Sequence, residues 1–179
     1  MADESHSLKG SLLVAAPALL DPNFRRTVIL VAEHGDGGAM GVILNRPSET
    51  AVAEAVPELA PLAGDSDPVY VGGPVAADSL LALAEVEDPE DAAELVLGAI
   101  AFVRDADVAT LRGRVFVGYA GWSPGQIEAE LDEESWIVVP AEADDIFSDE
   151  PGELWSAVLR RQGGSLALLS SMPPDPSLN

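Results

Sequence analysis

Short aliphatic and β-branched runs, cut by glycine and proline, set the rhythm of this chain. Residues 12–15 (LLVA) predict a first strand, closed by Pro17. Asp21-Pro22-Asn23-Phe24 is a turn signal. Residues 27–32 (TVILVA) are apolar without a break, the pattern of a buried strand. The glycine-rich stretch 35–38 is a tight turn, and residues 41–45 (GVILN) return as another strand, making a hairpin. Residues 50–60 predict a short helix, 65–68 a loop, and 69–71 (VYV) a strand ending at Gly72-Gly73-Pro74.

Residues 79–86 read as a further strand, and 85–94, with six acids, as an exposed turn. Residues 95–103 fit strand or helix by periodicity, with strand favoured in the second half and a short helix near 105–111. Residues 114–119 (RVFVGY) alternate as a strand does. Residues 123–131 predict a helix, with Ser123 as cap, Pro124 in the first turn and Gln126 completing a capping box. Residues 135–139 (SWIVV) are a strand. Residues 151–162 are a helix with Pro151 at its start, Arg160 and Arg161 in its last turn and Gly163-Gly164 as its stop. Strands come in groups rather than alternating with helices, which predicts one α+β domain over 8–179. Residues 1–7 and 173–179 read as loose tails.

Composition narrows the chemistry. The 179 residues hold no cysteine, so disulfides, thiolate nucleophiles and cysteine-type metal centres are excluded. The N-terminus is polar and acidic, without a signal-peptide pattern, and no apolar run is long enough to span a bilayer. A cytoplasmic protein is expected. The formal charge is −22, which repels phosphate backbones and anionic lipids and makes direct nucleic-acid binding unfavourable. Residues 1–50 carry a net of only −2, with Arg25, Arg26 and Arg46 among their bases, against −20 for residues 51–179. A small anionic ligand should therefore prefer the N-terminal part. A solvated, aggregation-resistant surface accounts for the acids elsewhere.

Five groups offer chemistry, each beside a structural reading. Gly121-Trp122-Ser123-Pro124-Gly125 matches the G-x-S-x-G nucleophile elbow. Pro124 has no N–H to give an oxyanion hole, however, and the only histidines, His6 and His34, lie upstream. A helix cap explains Ser123 instead. The glycines at 35–41 lead into a strand and not a helix, so they suit a hairpin better than a dinucleotide site. Glu33-His34 with Asp36 offers metal ligands, but neighbouring strand residues point to opposite faces. Arg25, Arg26 and Thr27 with Asn45-Arg46-Pro47 would meet at one end of the hairpin sheet as a cationic corner, the best candidate for an anion or partner site. Pairing of these arginines with acids is the structural reading. Tyr119, Trp122, Trp136 and Trp155 suit core or cleft positions, since the chain has few aromatics to fill a core.

Several segments together resemble the YqgE/AlgH family of bacterial proteins. They are 10–17 (GSLLVAAP), 21–28 (DPNFRRTV), Glu33-His34, 38–47 (GAMGVILNRP), 71–75 (VGGPV), 118–128 (GYAGWSPGQIE), 145–147 (DIF), Leu154-Trp155 and 175–179 (DPSLN). The likeness runs in order over nearly the whole chain. It departs over 80–95, where the histidine-bearing segment common in that family is missing, so a site needing that histidine does not carry over. The resemblance implies a single α+β domain with a bent, barrel-like, mostly antiparallel sheet flanked by helices. It implies no established enzyme activity and no cofactor. Some members carry the label of transcriptional regulator, a role better suited here to protein partners than to DNA. The expected function is therefore that of a non-catalytic regulatory or interaction protein of undefined biochemistry. The alternative is a small-ligand binder or enzyme using a cleft near Arg25, Asn45, Arg46 and Gly72-Gly73-Pro74. The ligand or partner residues under both readings are Arg25, Arg26, His34, Asn45, Arg46, Gly72 and Gly73. The cleft alternative requires Arg25, His34 and Arg46 to converge on one pocket.

Overall fold

Three unbroken apolar runs become neighbouring strands because both of their faces find a cover. The structure, a computed structural model, describes residues 7–64, 66–92, 94–104 and 106–172. Strand β1 (Ser11–Ala15) lies antiparallel to β2 (Val28–Gly35), which turns back into β3 (Gly38–Ile43). Leu12, Val14, Val28, Leu30 and Val42 face one core, while Leu13, Ile29, Val31 and Ile43 face another. This alternation uses every residue of the runs, and each buried aliphatic side chain contributes roughly 1.5–3 kcal/mol.

After β3 come β4 (Pro47–Ala51), α1 (Val52–Ala55), a 3-10 turn over Pro57–Leu62, β5 (Pro68–Val71) and the long β6 (Val75–Val86). A short hairpin follows, β7 (Leu95–Leu97) and β8 (Ile100–Val103), then the 13-residue β9 (Thr110–Trp122). The chain closes with α2 (Gln126–Asp132), β10 (Trp136–Pro140), α3 (Ala143–Ile146), α4 (Leu154–Gln162) and α5 (Gly164–Leu169). The sheet order is β10-β1-β2-β3-β9-β6-β8-β7, antiparallel throughout, with β5 added parallel to β9 and β4 added to β5. It is a curled half-barrel sheet with helices around it in one α+β domain, as the sequence pattern and the resemblance led one to expect. Helix α4 covers one face through Leu154, Trp155, Val158 and Leu159. Helix α2 covers the other through Ile127, beside Trp122 and Trp136. The α1 segment closes a third cluster with Val52, Leu59 and Leu62 over Val115.

Strand β9 is the spine. One of its edges carries β6; the other carries β5 at Phe116–Val117 and then β3 at 120–122. Gly118, at φ +73, sits where β5 gives way to β3. Gly72 bridges the same seam, its N–H donating to Val117 and its carbonyl accepting from Ile43. A Cβ on Gly72 would lie 2.3 Å from the Gly118 carbonyl oxygen, so two backbones meet there with no room for a side chain.

Several sequence expectations are corrected. The helix over 50–60 is broken up: β4 runs to Ala51, α1 lasts four residues, and Val56 before Pro57 is non-helical, at φ −142 and ψ 77. Proline disfavours the α conformation in the residue before it. Residues 95–103 form two strands about Gly98, at φ +55, so the strand favoured for the second half is present and the first half, left open between strand and helix, is strand as well. No helix forms over 106–111, because Thr110 already pairs with Val86; Asp105 lies outside the described residues. Helix α2 starts at Gln126, not Ser123, with left-handed Gly125 as its cap. Gly163 ends α4 as expected, but its φ of +72 lets the chain re-enter as α5. Of the two expected tails, only Ser7 is among the described residues.

Candidate functional site

The cationic corner grows from a tight loop. Asp21 accepts N–H bonds from Asn23 on its side chain and from Phe24 and Arg25 on its carbonyl. Arg46 reaches in from the end of the hairpin. Its guanidinium donates to the Asn23 carbonyl at 2.6 Å, the Pro22 carbonyl at 3.0 Å and the Arg25 carbonyl at 3.1 Å. Asn45 continues the sheet with a side chain: its Oδ1 accepts from Val28 N–H and its Nδ2 donates to the Arg26 carbonyl. Arg26 is left-handed at φ +59, stacks 4.0 Å over the Trp155 ring and donates to the Met172 carbonyl. Burial lowers the pKa of both guanidiniums, with Arg25 adding to the effect at Arg26 and Asp21 opposing it at Arg46. Arg25, Arg26, Asn45 and Arg46 line one cavity of about 480 Å³, with Glu153 and Trp155 on its far wall. The corner therefore forms, but Arg46 is spent on holding the loop.

His34 lies elsewhere. Its Nδ1 accepts the Leu8 N–H at 2.9 Å, and its Nε2 meets Glu128 of α2 at 2.8 Å. Both ring nitrogens are thus engaged, and the neutral ring must carry its proton on Nε2. Its side chain, 7% exposed, pins the N-terminal segment and α2 to the hairpin. It lines a separate cavity with Ser7, Asp36 and Glu128. Gly72 and Gly73 form the β-strand seam and line neither cavity. Arg25, Asn45 and Arg46 come together, while His34 and the glycines do not join them, so the cleft expected from Arg25, His34, Arg46 and Gly72-Gly73-Pro74 does not form as one pocket.

The G-x-S-x-G segment is a structural joint. Ser123 Oγ donates to Gln126 Oε1, and so does the Ser123 N–H, both at 3.0 Å. Gln126 in turn donates to Glu130 at 2.8 Å. The other Glu130 oxygen accepts from the indoles of Trp136 at 2.9 Å and Trp122 at 3.3 Å. His34, taken up by Leu8 and Glu128, has no nitrogen left to activate Ser123.

Two groups were missed in the sequence. Arg114 is buried, stacked 4.4 Å over Tyr70, and donates to the Ile146 and Ser148 carbonyls. Its signal was its phase: two residues before Phe116, it shares that residue's inward face. The second is an apolar groove. Met40, Val75, Leu81, Phe102 and Tyr119 line an open cavity of about 650 Å³ over β3, β9, β6 and β8, with Glu33 at its edge. A second cavity of about 610 Å³ shares Leu81 and Phe102, adding Leu59, Leu80, Glu58 and Glu94. Leu80 is 43% and Val75 38% exposed. Between them β6 bulges, spanning Val75 to Leu80 while β9 moves only from Tyr119 to Val117. Adjacent Leu80 and Leu81 were the available signal, since neighbours in a strand cannot both face one core.

Comparison with known proteins bears on the whole chain. The AlgH-like family profile matches residues 12–167. A UPF0301 protein of Streptomyces coelicolor is 46% identical over 189 residues, covering 98% of this chain and 97% of that one. A UPF0301 protein of Mycobacterium tuberculosis is 44% identical, with 95% and 90% covered. A Corynebacterium diphtheriae protein known from its crystal structure superposes with a TM-score of 0.84 at 30% identity, over 91% of each chain. The solution structure of the AlgH protein of Pseudomonas aeruginosa gives 0.73 at 33% identity, over 97% and 98%.

Proposed function

The chain belongs to the AlgH-like family, and from that premise we propose that it is a non-catalytic interaction protein with a regulatory role, acting in the cytoplasm by holding a protein partner in the apolar groove over β6, β8 and β9. The observation that carries this reading is the pair of apolar cavities that Leu81 and Phe102 both line, with Leu80 and Val75 exposed beside them. A sheet that buries Leu12, Ile29 and Phe116 completely leaves these side chains to solvent, and such patches mark interaction surfaces. Ser123, His34 and Arg46 each satisfy a neighbour in the fold instead of converging on a reactant. Affinity capture from the native cell tests the reading. Leu80→Asp should abolish a reproducible protein partner, while Arg26→Ala keeps it. Turnover in a broad substrate panel, lost on Arg46→Ala or His34→Ala, would overturn it.

A second reading is favoured by one observation: Arg25, Arg26, Asn45 and Arg46 line a single cavity on a protein of net charge −22. It takes a small anion, and calorimetry with inorganic phosphate and with succinate checks it. Binding lost in Arg26→Ala supports this second site; no heat with either anion disposes of it.

A further inference from the structure

We propose that the occupant of the apolar groove is a lysine- or arginine-rich segment of a partner protein, carrying apolar anchors that seat on either side of the Leu81–Phe102 wall. This rests on the groove reading above and adds the chemistry of the partner. Two observations carry it. The first is shape: two apolar cavities, about 650 and 610 Å³, flank Leu81 and Phe102, which line both. Met40, Tyr119 and exposed Val75 line one cavity; Leu59 and exposed Leu80 line the other. One anchor side chain in each cavity covers the exposed apolar surface.

The second is charge. Glu33 lines the first cavity, and Glu58 and Glu94 line the second, against Arg104 as the one base among the described residues of the two linings. Asp78 stands on the exposed bulge of β6 between Val75 and Leu80. These local carboxylates sit in the field of a chain with net charge −22. An approaching cationic segment is drawn in by that field, and its ammonium or guanidinium groups end beside the carboxylates. The same field opposes the other occupants. A second copy of this chain brings a further −22, and an anionic membrane or a nucleic acid is repelled.

Selection from a random dodecapeptide phage library against the full chain tests the proposal. The selected sequences should be enriched in lysine or arginine together with two or more apolar residues. Their binding, read by fluorescence anisotropy on synthetic copies, should weaken about tenfold or more in Leu80→Asp and in Val75→Asp. Both sites are exposed, so these variants keep the fold. The triple reversal Glu33→Lys, Glu58→Lys and Glu94→Lys should weaken binding comparably. The control triple Asp132→Lys, Glu133→Lys and Glu150→Lys, which carries the same charge change away from both cavities, should weaken it less. Neutral or acidic binders, an equal loss in both triples, or no binder at all overturns the cationic assignment. So does a dimer in sedimentation that Leu80→Asp dissolves, which would give the groove to a second copy. The two layers separate cleanly. If Leu80→Asp abolishes capture of the native partner but the groove triple and added salt leave it intact, the groove stands and the cationic class falls. If Leu80→Asp leaves capture intact, the groove itself falls.

Discussion

Two indole N–H groups and one side-chain amide converge on the carboxylate of Glu130. Trp122 and Trp136 are both buried, so removing that acceptor strands two donors in a dry setting. Glu130→Ala should cost about 2 kcal/mol in urea unfolding followed by tryptophan fluorescence, and Glu130→Gln, which keeps an acceptor, less than half of that. Arg46 makes a parallel case, since its fork holds three carbonyls of the 22–25 loop. Arg46→Ala should destabilise by roughly 1–3 kcal/mol, and Arg46→Lys should recover little of it, because an ammonium lacks the planar fork. Glu128 gives a pH signature. Its hydrogen bond from His34 is the largest cause holding its pKa below the ordinary 4.5. A depressed carboxyl stabilises the fold above its ordinary value and loses that contribution as pH falls through the lower folded value. The stability gap between the wild type and Glu128→Gln should therefore be constant above 4.5 and close in more acidic solution, as measured by chemical denaturation across pH. At this scale the sequence pointed to Arg25, Arg26, Asn45 and Arg46 as neighbours at one end of the hairpin, and they line one cavity. Whether their groups point outward or back into the chain was not readable, because that depends on where distant carbonyls arrive.

At the scale of elements, the seam between β5, β9 and β3 rests on glycine. Gly118 is left-handed, and a Cβ on it would lie 2.4 Å from the Gly73 carbonyl oxygen. Gly118→Ala should destabilise by roughly 2–4 kcal/mol in thermal or urea unfolding. Gly37→Ala, with nothing within 4 Å of its added carbon, should stay within about 0.5 kcal/mol of the wild type. Continuous apolar runs made β1, β2 and β3 easy to find, since burial on both faces leaves a pattern that local sequence carries. The 105–111 segment misled for the opposite reason. Its ladder partner is Val86, 24 positions before Thr110, and that pairing overrides local propensity. The helix expected over 50–60 failed at Pro57, a local signal that the apolar count had outweighed.

For the whole molecule, the charge of −22 is both a destabilising self-repulsion and a filter on partners. Raising ionic strength should raise the melting temperature of the isolated chain, read by calorimetry, while weakening capture of a cationic partner. The α+β class was legible from grouped strands, and the bent, barrel-like sheet from the family likeness alone. The groove was not, because it arises where β6 bulges away from β9 and leaves Leu80 and Val75 without cover. Since a fold does not dictate function, the groove has to be tested as a site in its own right. The most direct measurement is site-specific photo-crosslinking in the native cell, with the reactive residue placed at position 80, at position 75 or at position 25. The proposed function predicts a discrete protein adduct from 80 and 75 and none from 25. Adducts from position 25 alone would contradict it.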